Sequence, residues 1–140
     1  MAVLFLISLP YGHGRLDTPR GQAETDHFPP AGTRAVSISI IIVNTGEAAE
    51  AQRIGRDLVE SRLAASANVI DRISSVYRWG GAVRQRDEAQ LVIKTRSDLV
   101  AAVIARVRHL HSYECPGIIA LPVVDGNPEY LDWVARETAE

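Results

Sequence analysis

The spacing of apolar residues changes several times along this chain, and each spacing predicts one element. Residues 36–43 (VSISIIIV) form a nearly continuous apolar run, which is typical of a strand in the middle of a sheet. Residues 47–63 then carry apolar side chains such as Ile54 and Leu58 at helical spacing. Glu50 lies near the start of this segment, where the positive end of a helix dipole favours an acid. We therefore predict a strand followed by an amphipathic helix.

A long β-hairpin is predicted next. Residues 69–79 are rich in β-branched and aromatic side chains, and the return arm alternates apolar and polar positions over residues 89–95. Gly80 and Gly81 between the arms supply the positive φ angles of a two-residue turn. Each arm reaches about ten residues, where a usual strand has about five or six.

Arms of this length exceed what a small domain covers with its own core. The first arm carries Tyr77 and Trp79 close to the turn. Aromatic residues are enriched in protein interfaces, so contact with a neighbouring subunit is favoured for both over recognition of a ligand.

The second half of the chain repeats the alternation of helix and strand. Thr95 and Asp98 have the Thr-x-x-Asp form of a helix start, and an apolar stripe follows through residue 111. Residues 118–124 predict a fourth strand, and Pro122 indicates an edge position or a bulge because proline has no amide proton to donate.

A last short helix closes the chain. Asn127 suits the N-cap, Pro128 suits the first helical position, and the helix carries Trp133. The complete order β-α-β-β-α-β predicts an α+β fold, a ferredoxin-like βαββαβ sandwich with an extended hairpin and a short C-terminal helix.

Length and composition favour one folded domain after an N-terminal extension. The chain has 140 residues and 46% hydrophobic residues, which suits one domain, and we place it at residues 36–140. Residues 1–35 change to an aperiodic composition with several Gly and Pro residues, and we expect a disordered extension. The apolar run 1–10 falls short of the about 20 residues that cross a bilayer, so no membrane partner is expected.

The net charge and the sequence motifs argue against nucleic-acid binding and against catalysis. The net charge of −2 supplies no field for nucleic acid, and residues 36–43 lack the aromatic residues that an RNA-binding sheet needs. No phosphate loop or nucleophile motif occurs, so we predict a protein that is not an enzyme. Cys115 is the only cysteine, which is compatible with a reducing, cytoplasmic location.

Three segments of the chain resemble the CutA family of divalent-ion tolerance proteins. They read LVESRLAASANVI, SSVYRWGGAVRQRDEAQLVIKT and HSYECPGIIALPVVDGNPEYLDWV, at residues 58–70, 74–95 and 111–134. The resemblance covers roughly residues 36–136 and implies a ferredoxin-like fold, a homotrimer built by strands that pair between subunits, and a link to tolerance of copper and other divalent metals.

His111 and Cys115 are the candidate metal ligands, because copper prefers imidazole and thiolate donors. The ion would be Cu(II) or another divalent cation, and a trimer can supply one ligand from each subunit. The chain departs from some bacterial members of the family, which have cysteines where this sequence has Asn44 and Ser66. A copper site copied from those members is not expected.

A second hypothesis is a small-ligand sensor or scaffold. The CutA family resembles the nitrogen-regulatory PII proteins, which implies clefts between subunits that hold a small anion near Lys94. Lys94 either pairs with Glu114 or Glu88, or extends its charged end to water, and the latter is slightly favoured. The candidate residues of the cleft or interface are Tyr77, Trp79, Lys94, Glu114 and Trp133.

Overall fold

The computed structural model describes residues 36–138, and the predicted N-terminal extension at residues 1–35 lies outside this range. Four strands and three α-helices occur among the described residues. The strands are β1 (Ile38–Thr45), β2 (Ser66–Trp79), β3 (Ala82–Arg96) and β4 (Ile118–Pro122), and the helices are α1 (Ala48–Glu60), α2 (Val100–Leu110) and α3 (Pro128–Glu137).

The strands form one antiparallel sheet in the order β2-β3-β1-β4. β1 is therefore central, as its apolar run predicted, and the strand that contains Pro122 lies at an edge. This order, with two helices between the strands, confirms the predicted α+β ferredoxin-like fold.

One face of the sheet packs against α1 and α2. Alternate residues of β1 and β3 turn to this face, and their neighbours turn to the opposite one. The side chains that make the closed core are fully buried: Ile41, Val43, Leu91, Ile93, Ile54, Leu58, Val103 and Val107. We call the other side, where Ile40, Ile42, Val92 and Lys94 lie, the open face. Those four side chains are only partly buried, whereas Ile38 at the start of β1 on the same face is buried in a cluster with Val134 of α3.

Two contacts fix the position of α1, one with the sheet and one with α2. A Cβ atom at Gly55 would lie 3.0 Å from Ala67 Cβ and 3.1 Å from Leu91 Cδ1, so the glycine permits the helix to approach β2 and β3 closely. On the outer side, both nitrogens of the Arg106 fork donate to the Asp57 carboxylate at 2.8 and 2.7 Å, which joins α2 to α1.

The hairpin turn forms as predicted, with φ angles of 58° and 76° at Gly80 and Gly81. The register between β2 and β3 shifts between Ile70 and Ile73, where β2 contains one extra residue. Arg72, inside this bulge, has a φ of 56°. The bulge divides the hairpin into an inner half that is next to β1 and an outer half that extends beyond it.

Several predicted boundaries are wrong by a few residues. The first helix ends at Glu60 instead of continuing to residue 63, because Arg62 has a φ of 60° and leaves the helical conformation. The second strand begins at Ser66 instead of residue 69. The fourth ends at Pro122 instead of residue 124, since its last pair is with Ser39 near the start of β1.

The predicted helix start at Thr95 is also wrong. The Thr95 hydroxyl donates to the Leu63 carbonyl at 2.6 Å, and the Asp98 carboxylate accepts from the guanidinium of Arg96. A short 3-10 turn at Ser97–Leu99 comes before α2. The predicted start of the last helix is confirmed, because the Asn127 side chain accepts from the Glu129 amide at 3.2 Å.

Candidate functional site

The segment 111–117, which we call the anchor loop, connects α2 to the strand β4. It begins with His111, whose side chain is buried. The His111 Nδ1 atom accepts from the Tyr113 amide at 3.0 Å, and Nε2 lies 2.8 Å from the Asn44 carbonyl oxygen. Since an amide only donates and a carbonyl only accepts, the proton of the ring is on Nε2. His111 is thus a neutral histidine with both nitrogens bonded.

Glu50 holds the next residue of the anchor loop. Its carboxylate accepts from the Ser112 amide at 2.7 Å and from the Ser112 hydroxyl at 3.0 Å. One carboxylate oxygen also lies 3.7 Å from His111 Nδ1. Burial by itself raises the pKa of Glu50, but the two bonds from Ser112 and the bond from the Gly46 amide outweigh it and lower the pKa below 4.5.

Tyr113 extends the anchor loop to the hairpin. Its hydroxyl donates to the Glu88 carboxylate at 3.0 Å, and the guanidinium of Arg86 lies 5.4 Å from the centre of its ring. A Cβ atom at Gly46 would lie 3.2 Å from the Tyr113 hydroxyl, so glycine gives the ring room. Burial raises the pKa of Tyr113, and the bond to Glu88 raises it further. The loop therefore connects α1, the end of β1 and the outer half of β3.

The two candidate metal ligands have different environments. Binding a metal at His111 requires that one of its two ring hydrogen bonds be broken. Cys115 is an exposed free thiol. Among residues 36–138, no three His, Cys, Asp or Glu side chains are grouped so that they could hold an ion. A metal role for His111 and Cys115 stays a prediction.

The candidate cleft residues do not converge within one chain. Lys94 pairs with Ser66 at the start of β2, whereas Tyr77 and Trp79 lie near its end. At about 3.3 Å per residue, the separation along the strand exceeds about 30 Å. A cleft that uses these residues must therefore combine different subunits.

The other two cleft candidates lie on different elements. Glu114 is exposed in the anchor loop. Trp133 is half-buried on α3, 5.6 Å from the Tyr130 ring, in a cluster with Val134 and Ile38. The proposed partner Glu88 is bonded to Tyr113 instead of Lys94.

The family model described as CutA1 divalent ion tolerance protein matches residues 39–137, which is nearly all of the described range. The chain belongs to this family.

Proteins similar to this chain carry the name of the same family. The chain is 44% identical over 102 residues to "Protein CutA" of Mus musculus, an alignment that covers 73% of this chain and 58% of the mouse protein. This chain thus spans less than two thirds of that relative. It is 38% identical over 99 residues to "Divalent-cation tolerance protein CutA" of Thermus thermophilus, covering 71% of this chain and 96% of the relative.

Solved CutA1 structures have the same fold. The crystal structure of CutA1 from Oryza sativa superposes with a TM-score of 0.73 at 35% identity, covering 76% of this chain and 97% of the rice chain. Within residues 36–138, no helix is both long enough and apolar enough to cross a membrane.

Sequence reasoning missed the most connected part of this CutA1 chain. The local sequence indicates Glu50 only as a favourable charge at a helix start, and it predicts no bonding role for Ser112 or Asn44. A signal was present, because Glu50 is four residues before Ile54 and eight before Leu58, on the apolar face of α1. An acid on that face is buried and needs a polar partner.

Proposed function

We propose that this protein acts in divalent-ion tolerance as a non-catalytic, cytoplasmic homotrimer that binds a divalent cation, Cu(II) foremost. The observation that carries the proposal is the CutA1 family match over residues 39–137. The metal role in a relative's name belongs to that relative, and its extension to this chain is our proposal. The number of subunits comes from the family resemblance, and the cytoplasmic location from the single cysteine.

The outer half of the hairpin supports an assembly. Val76, Trp79 and Val83 are 66%, 65% and 65% exposed in one chain, and they lie on two long strands without a covering element in the described range. On the open face, Ile119 and Leu121 are also exposed. Burying these side chains against other copies removes apolar surface from water.

The metal part of the proposal rests on the chemistry of the anchor loop. Cys115 offers an exposed thiolate, the kind of soft ligand that copper selects. His111 contributes when the bond from the Tyr113 amide to Nδ1 opens. Because one loop supplies only these two soft or imidazole donors, the remaining ligands come from other subunits or from water.

The test is a calorimetric titration of the full chain with Cu(II), with Zn(II) as a comparison. We expect saturation at one ion per subunit or one per trimer, and loss of this binding in Cys115→Ser. His109→Ala is the matched control, since His109 is an exposed histidine near the end of α2.

His111→Ala completes the series. His111→Ala should weaken Cu(II) binding, whereas the control His109→Ala should bind Cu(II) like the unaltered chain. Direct metal binding at the anchor loop would be overturned if both Cys115→Ser and His111→Ala bind Cu(II) as the unaltered chain does. It would also be overturned if the unaltered chain gives no heat above background. Light scattering on the same samples gives the number of subunits independently.

A further inference from the structure

Lys94 differs from every other cationic side chain of this protein. The chain contains 15 Lys and Arg residues, and Lys94 is its only lysine. An ammonium is a compact, strongly hydrated charge whose pKa shifts readily on burial, whereas a guanidinium is planar and keeps its charge. The residue type and the position of Lys94 therefore call for an explanation.

Lys94 lies on the open face, near the end of β3 where this strand pairs with both of its neighbours. It is directly opposite Ser66 of β2 and Ile40 of β1. Residues directly opposite in an antiparallel pair have their side chains on the same face, with Cβ atoms about 5 Å apart. Ser66 and Lys94 are thus immediate neighbours beside the apolar side chain of Ile40.

Two polar groups at this place have no partner among residues 36–138. The Ser66 hydroxyl oxygen is buried and makes no hydrogen bond. No ion pair or hydrogen bond of the Lys94 ammonium occurs in the same range, and burial lowers its pKa from 10.5. Arg96, two residues along the same strand, binds Asp98 through its guanidinium, so that carboxylate is already bonded.

We propose that Ser66 and Lys94 form a binding site for an oxyanion, with the ammonium and the hydroxyl as the two donors. The ligand is a carboxylate or phosphate group. It comes either from a small anion in solution or from a carboxylate of a second copy placed on the open face. This site is separate from the anchor loop and does not rest on the proposed metal role.

The donor set selects an oxyanion over other ligands. An ammonium only donates hydrogen bonds, and a hydroxyl can donate its own. A cation would be repelled by Lys94, and an apolar group would leave both donors unsatisfied, which is costly at a buried site. The apolar neighbours Ile40 and Val92 reduce access of water and strengthen the attraction between opposite charges.

The single lysine makes a selective measurement available. In the full chain labelled with ¹³C-lysine, Lys94 gives the only lysine side-chain signal in an NMR spectrum. Its Cε shift is followed while sodium phosphate or sodium acetate is added, with sodium chloride at matched ionic strength as the reference. We expect a saturable shift with phosphate or acetate and a rise in the pKa of Lys94, because a bound anion stabilises the charged form.

Variants tie the response to the two donors. Ser66→Ala should weaken binding of the anion about tenfold, the change that corresponds to loss of one hydrogen bond to a charged group. Lys94→Met, examined by calorimetry, should abolish it. Arg53→Met is the matched control, since Arg53 is exposed on α1 and should leave binding unchanged.

A dilution series distinguishes the two sources. If a second copy supplies the carboxylate, the Lys94 signal shifts on dilution as the copies separate, and Lys94→Met weakens their association. If the anion comes from solution, the signal responds to added phosphate or acetate at constant assembly. A Lys94 signal that responds neither to dilution nor to either anion beyond chloride overturns the proposal, as does unchanged anion binding in Lys94→Met.

Discussion

The two halves of the β2–β3 hairpin contain similar strand-forming residues but have opposite environments. In the inner half, Leu91 and Ile93 are fully buried beneath α1 and α2. In the outer half, beyond the bulge at Ile70 to Ile73, Trp79 and Val83 are each 65% exposed. Both halves are regular antiparallel pairs, so backbone pairing is common to them and side-chain burial is not.

This difference separates two sources of stability. Local strand propensity and the Gly-Gly turn form the hairpin along its whole length, but only the inner half gains from the closed core. The Tyr113 hydroxyl binds Glu88 near the boundary between the halves, so the anchor loop holds the hairpin where the described part of the chain stops covering it. Among residues 36–138 no element covers the outer half, and its burial against another copy is part of the assembly that we propose.

The largest expected effect belongs to the outer half. Trp79→Ala should destabilise the assembly by about 3–5 kcal/mol if a second subunit fully buries the ring. The measurement is the subunit number by light scattering over a range of concentrations. Trp79→Phe, which keeps an aromatic ring, is the control and should lose much less. An unchanged assembly in Trp79→Ala would sink the interface assignment.

The second prediction addresses the inner half. Leu91→Ala should lower the free energy of unfolding by about 2–5 kcal/mol, because it leaves a cavity in the closed core. Urea unfolding at two protein concentrations measures it, since only the contribution of association changes with concentration. Val83→Ala, on the same strand in the outer half, should show a loss that depends on concentration. Equal, concentration-independent losses in both variants would contradict the comparison.

The smallest expected effect concerns Glu50, which holds the anchor loop near the boundary between the two halves of the hairpin. Glu50→Gln should lower the free energy of unfolding at neutral pH by about 1–3 kcal/mol, because the amide nitrogen cannot accept from Ser112. The pKa of Glu50 is below 4.5 in the folded chain. Its contribution is therefore fully present above pH 4.5 and is lost as pH falls through the lower, folded value.

Urea unfolding across this pH range tests the sign. The difference in stability between the unaltered chain and Glu50→Gln should shrink as the solution is acidified below pH 4.5. Glu60→Gln is the control on the same helix, because the Glu60 side chain is 68% exposed. A difference that stays constant with pH would show that the Glu50 charge is not what stabilises the loop.

The sequence predicted the sheet in detail where one physical rule dominated. The alternation predicted over residues 89–95 is confirmed, since Ala89, Leu91 and Ile93 are all buried in the core, and the turn followed from Gly80 and Gly81. The prediction at Thr95 was wrong because its hydroxyl found a distant carbonyl, that of Leu63, instead of a nearby amide. Tertiary contact overrode a local pattern there.

For the candidate functional residues, too, local features could be predicted and long-range contacts could not. Local sequence indicated that Tyr77 and Trp79 are on an overlong arm and that His111 and Cys115 are close in the chain. It did not show that both nitrogens of His111 are bonded, because one partner, Asn44, is 67 residues away. Nor did it reveal that Ser66 faces Lys94, which depends on the register of two strands.

By itself, the sequence determined the order of elements and the position of the hairpin turn, since periodicity and turn residues act over a few neighbouring positions. It also carried the resemblance to the CutA family. The tertiary structure decided the protonation of His111, the anchoring of its loop by Glu50 and the pairing of Ser66 with Lys94. These properties depend on which distant groups come within hydrogen-bond reach, and only packing of the whole domain settles that.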